Sequence, residues 1–147
     1  MTALLSVEGV RVSYGRIEAV RGVELTVGAG EFVGVIGSNG AGKSSLMRAI
    51  AGVLKPAAGR ASFDGAEVTR LKSHQMVAKG LAMVPEGRMV FADQTLRDNL
   101  LLGGFSRMRT DRAGVMRDLE RVLALFPRLR ERLDQEAGTL SGGEQQM

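Results

Sequence analysis

Eight residues, Gly37-Ser-Asn-Gly-Ala-Gly-Lys-Ser44, match the phosphate-binding loop pattern G-x-x-x-x-G-K-[ST]. Each residue type in it has its own chemical reason. Gly37, Gly40 and Gly42 carry no Cβ, so the backbone running through Ser38, Asn39 and Ala41 can curl and bring its amides close to an anion. Lys43 is a compact point charge on a flexible stem, suited to reach terminal phosphates. Ser44 offers a hydroxyl oxygen to Mg²⁺, a hard cation that prefers oxygen. Ser45 follows in a segment of helical spacing, whose positive end would face the same anion. The chemistry expected is binding of a nucleoside triphosphate with Mg²⁺, with residues 37–45 as the nucleotide-binding segment.

The pattern is expected to sit between a strand and a helix. Glu31-Phe-Val-Gly-Val-Ile36 is apolar and β-branched, as in a buried strand. From Ser45 to Leu54, residues Leu46, Met47, Ile50, Val53 and Leu54 recur at helical spacing. Upstream, Leu4–Tyr14 and Val20–Val27 read as antiparallel strands punctuated by glycines. Downstream, Ala61–Gly65 reads as a short strand and tight turn, Ser73 as the cap of a short helix ending at Gly80, and Leu81–Pro85 as a second buried strand. Thr95-Leu-Arg-Asp98 is a capping box with Asp in place of Glu, opening a helix toward Leu102. Asp111–Phe126 is the clearest amphipathic helix. Its apolar face is Val115, Met116, Leu119, Val122, Leu123 and Phe126, with Pro127 beyond its end.

The length and composition suit one soluble globular domain. A hydrophobic share of 44% in 147 residues supports a sizeable core. A net charge of +4, from 20 basic and 16 acidic residues, is too mild and too dispersed for a nucleic-acid surface. One Tyr, five Phe and no Trp leave little for stacking on single strands. The absence of cysteine removes thiolate metal sites and cysteine nucleophiles from the choices. Residues 1–10 show no signal-peptide pattern, and no apolar run reaches the ~20 residues of a membrane span. The single histidine, His74, is expected on the surface.

A second motif, Leu140-Ser-Gly-Gly-Glu-Gln-Gln-Met147, resembles the L-S-G-G-Q signature of ATP-binding-cassette (ABC) ATPases, with Glu144 where Gln is usual. The resemblance covers the whole chain. It implies that Tyr14, in Val-Ser-Tyr-Gly, is the aromatic that stacks on adenine. It implies further that Glu86, in Val84-Pro-Glu-Gly-Arg-Met-Val-Phe91, occupies the place of the family's Q-loop glutamine, near Mg²⁺ and the attacking water. Val-Pro-Glu-Gly-Arg, Leu102–Phe105 and Leu125–Leu129 are similar to the subfamily serving branched-chain amino-acid importers. The fold so implied is α/β, a P-loop NTPase nucleotide-binding domain. Its parts are an antiparallel β region (1–30), part of a RecA-like core (31–90) and a helical subdomain ending in the signature (91–147).

In that family two cassettes enclose ATP between the phosphate loop of one and the signature of the other. Ser141, Gly142, Gly143 and Glu144 are therefore expected to serve a partner's nucleotide. The implied partners are a second ATP-binding subunit, identical or different, transmembrane permease subunits and, indirectly, a solute-binding protein, with no nucleic acid. The implied location is the inner face of the cell membrane. No aliphatic run ending in an acidic pair follows the phosphate loop. The Walker B strand, the catalytic carboxylate and the switch histidine are thus expected to be missing, with the C-terminal core strands, and the chain to be a fragment. The expected function is ATP binding and hydrolysis coupled to uptake of branched-chain amino acids. The alternatives are a nucleotide-binding module without turnover and a soluble cassette protein without a transporter.

Overall fold

The computed structural model describes residues 3–87 and 89–146; Arg88, within the Val84–Phe91 segment, and Met147, which ends the second motif, lie outside the described residues. The chain forms two compact units, one running through Met83 and the other starting at Val84.

The first unit is built on strand β1 (Ala3–Tyr14), paired antiparallel with β2 (Ile17–Gly28) on one side and β3 (Ala58–Phe63) on the other. The short β4 (Ala66–Glu67) pairs with β3, giving the order β2-β1-β3-β4. Alternation alone cannot turn Val7, Val10 and Val12 to one face, because Val7 and Val10 are an odd number of residues apart. A register shift at Glu8–Gly9, with Gly9 at φ 58°, takes up the extra residue as a bulge. β3 approaches closely there: a Cβ on Gly59 (φ 89°) would lie 2.4 Å from the Gly9 carbonyl oxygen. Helix α1 (Lys43–Ile50) then lays Leu46, Ala49 and Ile50 on Val7, Val10, Val12 and Val20. That cluster seats the start of α1, and with it the loop that precedes it.

Asp64 and Gly65, both at positive φ, turn β3 into β4. Helix α2 (Ser73–Ala78) buries Met76 against Ala61 and Val68. Ser73 is its first helical residue rather than its cap; the Lys72 amide donates to Gln75 Oε1 at 2.9 Å instead. The helix after the phosphate loop stops at Ile50, short of Leu54, where Gly52 takes φ 71°.

Two expected strands are not formed. Glu31–Ile36 is irregular, with Phe32 96% and Ile36 98% exposed, and Leu81–Val84 is irregular with Val84 80% exposed. A strand of continuous apolar character is stable only with strands on both edges and cover on both faces. Among the described residues every strand pairing is antiparallel and none involves these segments.

The second unit is helical. Thr95 caps α3 (Leu96–Gly103): its Oγ1 accepts from the Asp98 amide at 3.1 Å and donates to Asp98 Oδ2 at 2.5 Å. Asp111 caps α4 (Arg112–Leu125) by accepting from the Gly114 amide at 2.8 Å. Of the expected face, Val115, Leu119 and Leu123 are buried, whereas Met116 is 40% exposed. Pro127 opens a further turn, α5 (Pro127–Arg130), as its first residue, where a missing N–H costs nothing. The chain then folds back on itself. Leu96 and Arg97 amides donate to Gln135 and Leu133 carbonyls, and Ala137 and Gly138 amides to Gln94 and Ala92 carbonyls, all at 2.9 Å. Leu96, Leu119, Leu123, Leu129 and Leu140 form the core. Burial of Leu140 fixes where the second motif begins. Among the described residues no helix is long and apolar enough to cross a membrane.

Candidate nucleotide-binding site

The phosphate loop is positioned by what surrounds its last glycine. Gly42 sits at φ 89°, and a Cβ there would fall 2.2 Å from the Ala19 carbonyl oxygen of β2. Only glycine lets the loop enter α1 pressed against that strand. Gly40 is also left-handed, at φ 83°, but with open space around it. The Ala41 amide closes a turn on the Ser38 carbonyl at 3.2 Å.

Lys43 folds over this loop, its Nζ donating to the Gly37 and Ser38 carbonyls at 2.8 Å each. Among the described residues no carboxylate pairs with this ammonium, so an incoming anion exchanges weak carbonyl partners for a strong one. Gly42 provides no side-chain cap and the first turn of α1 has no acidic residue. The helix's positive end is therefore not offset by acidic groups of its own first turn. Ser44 and Ser45 occupy that turn. A hollow of about 690 Å³ opens beside the loop, lined among others by Ile17, Ala19, Val35, Ile36, Gly42 and Lys43. Its volume lies within the range of small-molecule sites.

Tyr14 ends β1, 46% exposed, with its phenol oxygen 3.2 Å from Ser45 Oγ. The structure therefore brings Tyr14 to the same helix turn as the phosphate loop, a link that no spacing rule in the sequence announces. The Ala19 contact with Gly42 was equally invisible there.

Glu86 lies in the second unit, in an exposed turn with Gly87. Among the described residues no cluster of three or more His, Cys, Asp or Glu could hold a metal ion. His74 is exposed on α2.

The second motif makes a closed turn. The Ser141 amide donates to Glu144 Oε2 at 2.9 Å, and the Glu144 amide approaches Ser141 Oγ at 3.4 Å. This is the reciprocal capping box, Ser-x-x-Glu, a spacing legible in the sequence. Arg132 Nη1 reaches Glu144 Oε1 at 3.1 Å. The Ser141 hydroxyl and then its amide hold the Glu144 carboxyl below its usual range; Arg132 and Arg128 add to this, against some desolvation. Gln145 Nε2 donates to the Ala137 carbonyl at 2.9 Å and ties the turn to the core-facing segment.

The chain is similar to known proteins along most of its length. The family model described as ABC transporter matches residues 20–147. The chain is 45% identical over 144 residues to the high-affinity branched-chain amino acid transport ATP-binding protein BraG of Pseudomonas aeruginosa, spanning 98% of this chain and 60% of that protein. It is 32% identical over 138 residues to the probable branched-chain amino acid transport ATP-binding protein LivF of Archaeoglobus fulgidus, spanning 94% of this chain and 57% of that one. The solved structure of an ATP-binding subunit of an ABC transporter superposes with a TM-score of 0.83 at 29% identity, over 97% of this chain and 58% of that one. The chain thus spans about 60% of the length of the curated relative of highest identity named here.

Proposed function

Because the chain belongs to the ABC transporter family, we propose that it is the nucleotide-engaging portion of an ATP-binding subunit whose whole protein drives uptake of branched-chain amino acids. The observation that carries the reading is the loop itself. Gly42 at φ 89° meets the Ala19 carbonyl where any side chain would clash, and Lys43 rests on the two carbonyls of Gly37 and Ser38. A glycine-rich turn entering a helix, with one cation held only on neutral carbonyls, suits a polyphosphate.

In this reading residues Gly37 to Ser45 hold the phosphates of ATP, Lys43 neutralises charge on the terminal groups, and Tyr14 offers its ring to the adenine. Ser44 offers oxygen to the Mg²⁺ that accompanies the nucleotide, and Glu86 takes the role of the family's Q-loop glutamine. Ser141, Gly142, Gly143 and Glu144 serve the nucleotide of a second ATP-binding subunit. Permease subunits and, through them, a solute-binding protein are the further partners, which puts the protein at the inner membrane face. The amino-acid assignment is supported by what BraG and LivF are named for.

Hydrolysis needs a positioned water and a second anchor for the metal. Residues 45–147 contain no aliphatic run ending in an acidic pair that would supply them. For these 147 residues we therefore infer binding without appreciable turnover. A titration of the chain with ATP and Mg²⁺ tests this, with Lys43→Ala as control. Saturable binding that Lys43→Ala lowers at least about tenfold is expected. Absence of binding by the unsubstituted chain refutes the nucleotide reading, and turnover above background refutes the inference of inactivity.

A further inference from the structure

The position where the family's signature usually carries a neutral glutamine holds Glu144, and both of its carboxylate oxygens are engaged. Oε2 accepts from the Ser141 amide at 2.9 Å, and Oε1 meets Arg132 Nη1 at 3.1 Å. The Glu144 side chain is only 13% exposed. The turn that bears it is held at one end by buried Leu140 and at the other by Gln145 on the Ala137 carbonyl. A carboxylate so fixed cannot turn away from its surroundings. Beside a polyphosphate its charge is a liability, since like charges at short range disfavour each other.

We propose that Arg132 and Glu144 act as a positioning pair for Ser141: Glu144 orients the serine's amide and hydroxyl, and Arg132 cancels the charge that this orientation introduces. The pair rests on the reading that Ser141 faces a nucleotide. Arg132 is then the residue that makes a carboxylate workable where the family usually has an amide. Glutamine at 144 keeps the cap, because either side chain can accept from the serine amide in this box, and it needs no counter-charge. Among the described residues the cations that act on the Glu144 carboxyl are Arg132 and Arg128, and Arg132 makes the contact.

The dependence of one residue on the other supplies the test. Four forms of the chain are compared: unsubstituted, Arg132→Ala, Glu144→Gln, and both together. The first readout is the Ser141 amide resonance against pH. It is expected to follow a carboxylate titration that moves upward in Arg132→Ala and vanishes in Glu144→Gln. The second is ATP-promoted self-association with Mg²⁺ by sedimentation. Arg132→Ala is expected to weaken it about tenfold alone and less than about twofold in the Glu144→Gln background, as for directly coupled residues. Equal losses in both backgrounds overturn the proposal, as does a Ser141 amide that ignores Glu144. If no form self-associates with ATP, the reading that Ser141 faces the nucleotide of an identical subunit fails, while the Ser141 titration still decides the positioning claim. Thermal midpoints of the four forms separate either result from a folding defect.

Discussion

The Tyr14 phenol oxygen lies 3.2 Å from Ser45 Oγ, so the end of β1 is joined to the first turn of α1 across 31 residues of sequence. The hydroxyl anchors one end of a ring that is otherwise half exposed. Tyr14→Ala is expected to weaken ATP binding by about 1–3 kcal/mol, the usual value of a base stacked on an aromatic. Binding of inorganic tripolyphosphate is expected to be unchanged. Tyr14→Phe keeps the face and loses the anchor, and its loss and that of Ser45→Ala are expected not to add. Fluorescence titration with both ligands checks this, and equal losses for ATP and tripolyphosphate would remove Tyr14 from the site.

Gly40 and Gly42 share a left-handed backbone but not its surroundings. Gly40→Ala meets open space and is expected to cost about 1 kcal/mol from backbone strain alone. Gly42→Ala adds a Cβ 2.2 Å from the Ala19 carbonyl oxygen, so the start of α1 must shift off β2. A cost of more than about 2 kcal/mol, together with loss of nucleotide binding, is expected. Urea unfolding of the two variants measures the difference; equal midpoints would show that the Ala19 contact does not hold the loop.

Leu123 and Leu125 stand two residues apart on α4, one 1% and the other 74% exposed. Leu123→Ala removes a buried side chain from the core of the second unit and is expected to cost about 2–5 kcal/mol. Leu125→Ala is expected to stay within about 0.5 kcal/mol. Thermal or denaturant unfolding distinguishes them, and similar costs would contradict the packing of α4.

Asp118 is paired with Arg107 and Arg121, and Arg107 also approaches Asp111 at 3.7 Å. The hydrogen bond from Arg107 holds the Asp118 carboxyl below its ordinary range. A carboxyl depressed in the folded state stabilises fully above its unfolded value and loses that stabilisation as pH falls through the folded one. Glu144 behaves in the same sense. The thermal midpoint of the second unit is therefore expected to fall on acidification from about pH 6 to about pH 3. Asp118→Asn and added salt are both expected to flatten the slope, since the pair is solvent-exposed.

Local signals in the sequence located most local structure. The two long strands, the cap at Thr95, the amphipathic helix at 111–126 and the helix after the phosphate loop all follow from period and side-chain chemistry, and the structure moves only their ends. The apolar runs at 31–36 and 81–84 misled, because a buried strand is a property of its neighbours, and no segment among the described residues pairs with these. Within the site, the loop residues were legible from spacing. The Tyr14–Ser45 bond, the Ala19 approach to Gly42 and the Arg132–Glu144 pair join segments distant in sequence or turns that no pattern encodes. The bulge at Gly9 is intermediate: the odd spacing of Val7 and Val10 demanded one, but only the fold shows where β3 answers it.

The irregular stretch from Glu31 to Ile36 also bears on how the protein is handled. Phe32-Val-Gly-Val-Ile36 has no charge and no proline, and exposes two large apolar side chains almost completely. Short segments of this kind add readily to copies of themselves through cross-β pairing. The peptide that leads into the phosphate loop is thus expected to limit the usable concentration of these 147 residues, which light scattering against concentration checks. Val33→Lys is the economical remedy, since it adds a gatekeeping charge at a position that does not line the hollow beside the loop, as Val35 and Ile36 do.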